Sequence, residues 1–251
     1  MLRQLQVRAA RGLQELPARL RPLPLRAGSR ERALFWAVAI NFVAHGLALL
    51  SMVALLLPAL PGGTAHSDAE RIIVIAEHPW RFRFGWLPWQ LCAVADLWMA
   101  IAMSRVEAFP RVARWLVLIL TIAAVIPDQW GQAMWITRGV ELAQTAPGAY
   151  LDFERETFPI TAAWGALFYT FAALAWTWCF AAARYWSRVL TILSVTVWST
   201  MLVAVTSPLL PATIRPSPSF VSTMNGIGFV QLQVWLALVA ERVWRKTTSR
   251  A

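Results

Sequence analysis

Residues 33–58 read ALFWAVAINFVAHGLALLSMVALLLP, a stretch with no aspartate, glutamate, lysine or arginine. At ~1.5 Å per residue, a helix through it crosses the ~30 Å hydrocarbon core of a bilayer. Five further apolar stretches follow at 86–104, 112–135, 160–182, 187–207 and 219–240. The expected fold class is therefore all-α: a polytopic transmembrane helix bundle of about six spans. Three segments are expected: a basic stretch over 1–32, a six-span domain over 33–241 and a basic tail over 242–251. Charged residues make up 14% of the 251 positions, against about 25% in soluble domains. The 32 residues before the first span are too few to bury an independent core.

The net charge of +10 is unevenly distributed, and its placement argues for a membrane rather than nucleic acid. Seventeen of the 23 basic residues fall in the N-terminal segment, the tail and the loops after the second and fourth spans. The alternate loops carry six basic residues and eight acids. Positive loops stay in the cytoplasm, so both termini are expected there, and an even span count agrees in placing them on one side. Basic groups at that leaflet attract anionic lipid, and membrane lipids are the expected partners, with a homo- or hetero-oligomer allowed. No nucleic-acid module is recognisable, and no nucleic-acid partner is expected. Arginine outnumbers lysine 22 to 1, as in proteins of GC-rich bacteria, which points to a bacterial inner membrane. An Arg-rich, acid-poor N-terminus also suits a mitochondrial transit peptide, but Ser29 is its only serine.

Residues 2–20 space Leu2, Leu5, Leu13, Leu16 and Leu20 among Arg3, Arg8, Arg11 and Arg19. This pattern predicts a short N-terminal amphipathic helix lying on the inner membrane face, or else a basic tail. The loop 61–85 carries an apolar run at Ile72–Ala76 between charges, read as an interfacial helix or an extended segment. The acidic loop 138–159 is expected to hold a helical turn near Tyr150–Thr157. Pro127 is expected to break the third span. Most of the fifteen tryptophans, Trp86, Trp89 and Trp135 among them, lie near span ends and read as interfacial anchors. Cys92 and Cys179 fall at depths nearly 20 Å apart by the ~1.5 Å helical rise, so no disulfide is expected.

The chemistry of the chain is concentrated in a few polar residues inside the spans. Asp96 is the one charged residue near the middle of a span. A carboxyl at that depth faces the bundle interior and is paired or protonated. It serves either a function or a hydrogen-bonded lock between helices. Asn41 and His45 are four residues apart on one helical face, and His45 lies at the depth of Asp96. Asp128 and Gln132 repeat that spacing after Pro127, and interrupted helices line binding sites in transporters. Asn225, Gln231 and Gln233 in the sixth span extend the polar interior or join helices by hydrogen bonds.

Several chemistries can be set aside. Retinal requires a mid-span lysine, whereas the sole lysine is Lys246 in the tail. A bis-histidine haem requires two intramembrane histidines, and only His45 is placed for that. His66 and His78 fit no zinc-ligand spacing, and neither a nucleophile elbow nor a P-loop occurs. No catalytic residue, metal ligand set or cofactor is assigned.

The expected function is a transporter, permease subunit or small-ligand or lipid-binding protein, with a polar midplane centre at Asp96, His45 and Asn41. A non-catalytic partner or sensor subunit is the alternative. An intramembrane enzyme using Asp96 and His45 as an acid–base pair on a lipid or quinone is a third. In layout alone, six spans with cytoplasmic ends and an amphipathic lead-in resemble export-type ABC permease subunits. That resemblance implies a dimer and a partner ATPase. The long loop 61–85 departs from it.

Overall fold

A computed structural model describes residues 27–183 and 185–248. The amphipathic helix expected over 2–20 and the last three residues of the tail lie outside them. Nine α-helices are described: α1 (Ala27–Ser51), α2 (Asp68–Glu77), α3 (Pro79–Ser104), α4 (Arg111–Met134), α5 (Val140–Thr145), α6 (Pro147–Phe158), α7 (Ala166–Ala182), α8 (Arg188–Thr206) and α9 (Pro218–Thr248). Wide π-helical turns prolong α1 over Met52–Leu56, α4 over Trp135–Gly139 and α6 over Pro159–Gly165, where it merges into α7. The described residues contain six helical stretches long and apolar enough to cross a membrane: Ser29–Leu56, Pro79–Ser104, Arg111–Thr145, Pro147–Ala182, Arg188–Leu209 and Pro218–Thr248. The chain is accordingly an all-α, multi-pass membrane protein.

Local sequence explains where these helices begin. Pro79 and Pro147 occupy first-turn positions, where a missing N–H costs nothing. Ser187 caps α8 by accepting from the Leu190 N–H at 3.3 Å. Ser67 caps α2 by accepting from the Glu70 N–H at 3.2 Å, while the Glu70 carboxylate accepts from the His66 N–H at 2.7 Å. The apolar run between charges is therefore a helix, and the acidic loop holds two, α5 and α6. Pro127 does not break the third span, contrary to expectation. Helix α4 runs through it, as α3 runs through Pro88. Neighbouring spans hold the helix on both sides of the proline, and membrane helices tolerate that defect. The sixth span is also longer than its apolar stretch, since α9 continues through Arg242, Arg245 and Lys246. Lys246 Nζ donates to the Ala183 carbonyl at 2.7 Å and stands 3.9 Å from the Tyr185 ring centre.

The spans close a ring. α1 packs on α3, α3 on α4, α4 on α7, α7 on α8, α8 on α9, and α9 returns to α1. Small residues allow the closest approaches, as at Ala44, Ala48, Cys92 and Ala95 between α1 and α3. Outward positions are apolar and exposed, among them Leu50, Val94, Ile126 and Val195. Such a surface suits lipid and would be a liability in water.

The two ends of the ring differ. At the end where α1 begins and α9 finishes, Leu34, Met99, Met103, Phe109, Phe180, Trp235 and Val243 fill the centre. At the other end, α2, α5 and α6 form a cap whose core includes Leu56, Ile75, Phe82, Trp135, Tyr150 and Phe153. Arg71 and Glu154 pin α2 to α6. Arg71 Nη1 and Nη2 donate to the two Glu154 carboxylate oxygens at 2.8 and 2.7 Å. Arg71 also donates to Asp68 from Nε and Nη2, at 3.1 and 2.7 Å, and to the Ala59 carbonyl at 3.3 Å. Burial alone would lower the Arg71 pKa. The hydrogen bonds and charges of Glu154 and Asp68 outweigh it and hold the guanidinium above its ordinary value.

Candidate functional site

Between the packed end and the cap, the ring encloses a cavity of about 890 Å³. This lies within the range of small-molecule sites. Its deep wall includes His45 of α1, Asp96 of α3 and Asp128 and Gln132 of α4. From there it extends to Gly62–Thr64, Arg155 and Arg215 beside the cap.

One polar group gathers around Asp96. Asn41 Nδ2 donates to Asp96 Oδ1 at 2.5 Å, and His45 Nε2 lies 3.9 Å from Oδ2. The second distance is too long for a hydrogen bond. His45 Nδ1 faces the Asn41 carbonyl at 3.1 Å, so it carries a proton that it donates there. All three side chains are buried. The depth match between His45 and Asp96 is therefore real in space.

A second group gathers around Asp128. Gln132 Nε2 donates to both carboxylate oxygens at 3.0 Å, Gln129 Nε2 to Oδ2 at 3.1 Å and the Tyr169 hydroxyl to Oδ2 at 3.4 Å. Close approach of α4 to the wide turn 159–165 makes this possible. A Cβ on Gly165 would sit 3.1 Å from the Asp128 Cβ, and one on Gly131 would sit 2.2 Å from Thr161 Cγ2. At Gly131 a side chain would force a neighbour to move, and at Gly165 it would crowd Asp128. Asp96 and Asp128 line the same cavity, and so does Cys92, one helical turn from Asp96.

Aromatic side chains make up much of the remaining wall: Trp86, Trp89, Trp135, Trp176, Trp198 and Phe229. Trp86 and Trp135 stack with centroids 6.4 Å apart, and Trp89 meets Phe229 edge-on at 4.9 Å. Trp86 and Trp135 are 8% and 1% exposed, which overturns the expectation that they anchor the protein at an interface. The cap of α2, α5 and α6 covers the span ends where those residues sit. Trp36, Trp80, Trp130 and Trp164 do face outward.

Of the residues singled out from the sequence, the structure brings His45, Asp96, Asp128, Gln132 and Asn225 to one cavity. Asn41 stands behind Asp96. Gln231 lies outside the cavity wall, and Gln233 instead meets the Phe42 carbonyl at 3.1 Å and the Gly46 N–H at 3.0 Å, joining α9 to α1. Cys92 lines the cavity and Cys179 does not, and both are free thiols. Sequence reasoning missed Tyr169, although a tyrosine nine residues into an apolar span is itself a signal. Among the described residues, no group of three or more histidine, cysteine or acidic side chains is placed to hold a metal ion. No protein-family model matches the chain, and no curated protein or solved structure matches it.

Proposed function

We propose that this protein binds a small molecule in its central cavity, as a transporter or permease subunit does, with Asp96, His45, Asp128 and Gln132 as the polar contacts. The observation that carries this reading is that both carboxyl clusters line one cavity of about 890 Å³. A purely structural role for these groups calls for enclosed, mutually satisfied partners. Instead Gln132 Oε1 and the indole N–H groups of Trp86, Trp89, Trp135 and Trp176 are buried without a hydrogen-bond partner. In the same proposal the termini are cytoplasmic, the membrane is a bacterial inner membrane, and the cavity faces away from the cytoplasm.

The chain has two cysteines, so Cys179→Ala leaves Cys92 as the single thiol. Intact cells producing that variant are treated with a membrane-impermeant methanethiosulfonate. Cys92 is expected to react from the outside. If Cys92 reacts only after unfolding, the cavity is sealed and its polar groups are glue between helices. Reaction from the cytoplasmic face alone overturns the orientation.

A further inference from the structure

The wall of this cavity has a sign. Its deep part holds Asp96, Asp128 and His45, whereas its arginines, Arg155 and Arg215, belong to the cap side. The charges near the cap are also largely engaged. Arg155 pairs with Asp152 at 2.9 Å, Glu154 with Arg71 at 2.7 Å, and Arg215 Nε donates to the Leu210 carbonyl at 3.0 Å.

At depth the two carboxyls differ. Asp96 has His45 beside it and Asn41 donating to it. Asp128 has neutral donors: two glutamine amides and a phenol. Among the described residues, Asp128 makes no ion pair. A carboxylate so placed is expensive until a cation reaches it. Gln132 is 2% exposed, donates to Asp128 and leaves its own Oε1 without a donor. The same spot therefore offers a negative charge and a free acceptor.

The wall of the same cavity also carries indole and phenyl rings, among them Trp89, Trp135, Trp176 and Phe229. An aromatic face within ~6 Å of a cation contributes from ~0.5 kcal/mol when exposed to ~2 kcal/mol when desolvated. An anion gains nothing comparable from these rings and would meet two carboxyls. The unpartnered indole N–H groups are donors, and they suit an oxygen of the ligand or water sharing the space.

We propose that the cavity takes a lipophilic organic cation, anchored at Asp128 and flanked by Trp89, Trp135, Trp176 and Phe229. This rests on the reading of the cavity as a ligand site and adds the charge and class of the ligand. Size and apolarity are set by the aromatic wall. Charge selection is set by Asp128, with Asp96 adding to the potential.

Tetraphenylphosphonium and tetraphenylborate have nearly the same shape and opposite charge, so together they isolate the electrostatic part. Full-length protein in a neutral detergent is equilibrated with each by dialysis. Saturable binding of tetraphenylphosphonium at one site is expected, at least tenfold tighter than tetraphenylborate. Asp128→Asn is expected to weaken it ~30-fold or more, the loss that follows removal of one partner from a desolvated charge pair. Glu241→Gln, on the exposed terminal end of α9, is expected to leave binding unchanged.

A second measurement needs no cavity variant. In Cys179→Ala protein, Cys92 is expected to react faster with a trimethylammonium methanethiosulfonate than with its sulfonate counterpart. Equal binding of the two tetraphenyl ions, a preference for the borate, or insensitivity to Asp128→Asn overturns the cation proposal and leaves the cavity reading standing. A Cys92 inert to both reagents overturns both.

Discussion

Removing Arg71 tests whether the cap is held by one buried ion pair. Arg71 is 4% exposed and Glu154 8%, and they share two hydrogen bonds across 83 residues of sequence. In Arg71→Met, Glu154 stays buried and, among the described residues, loses its ion-pair partner. Breaking a buried pair from one side costs ~3–5 kcal/mol. Glu154 also lines the cavity, where water can relax it, so the lower end applies. The converse change is milder. In Glu154→Leu, Arg71 keeps Asp68 and the Ala59 carbonyl, and the loss is that of a charged hydrogen bond, ~1.5–3 kcal/mol. The double variant Arg71→Met/Glu154→Leu puts apolar groups in place of both charges and is expected to recover most of the difference, since such replacements are often neutral. Helix α2 is short, so the loss is expected as local opening. Amide hydrogen exchange over 68–77, read by mass spectrometry, is expected to accelerate about a hundredfold in Arg71→Met, the factor for ~3 kcal/mol. Exchange in α3 and α9 should stay slow. The reasoning fails if the two single changes add in the double variant, or if Arg71→Met leaves exchange in α2 unaltered.

Two further outcomes follow from close contacts. Gly131→Ala places a Cβ 2.2 Å from Thr161 Cγ2, and overpacking of this kind is expected to lower stability by ~1–3 kcal/mol. Thr161→Ser removes that methyl, so Gly131→Ala/Thr161→Ser should recover the thermal midpoint in detergent. A midpoint unmoved by Gly131→Ala would show that α4 is not held so near to the turn 159–165. Asn41→Leu removes the donor to Asp96 and is expected to cost ~1–3 kcal/mol, whereas Asn41→Leu/Asp96→Leu, which removes both partners, should cost less than the single change. A purely additive cycle in thermal unfolding would separate the two residues.

The fold was legible because the bilayer imposes a length and a composition on every span, and both can be counted along a sequence. The helices of the cap were harder. Ile72 and Ile75 point to a buried face on α2, but what they bury against comes from α5 and α6, about seventy residues on. The same cap explains the misreading of Trp86 and Trp135. An indole near a span end has one sequence signature whether lipid headgroups or a second layer of protein lies beyond it. Pro127 failed as a signal for a related reason. Whether a helix breaks at proline depends on what packs on both sides, and the neighbours of α4 come from α3 and α7.

The site was half legible, and the legible half rests on one periodicity. Asn41 and His45, and Asp128 and Gln132, are each one helical turn apart, and Asp96 is a lone carboxyl at the depth of His45. A polar pair or a carboxyl in an apolar span gives the helix one distinct face, and lipid cannot satisfy it. Such faces on three spans require a common interior, and that inference is open to a reader of the sequence. What periodicity leaves undetermined is rotation about each axis. Tyr169 reaches Asp128 because α7 turns that face inward, while Phe171, two residues on, is 41% exposed on the outer surface. Gly131 and Gly165 favour this approach, since a Cβ on the first would run into the Thr161 methyl and one on the second would crowd Asp128. The charge of the cavity thus follows from single residues already visible in the sequence, and its shape from small residues whose role appears only once the ring is closed.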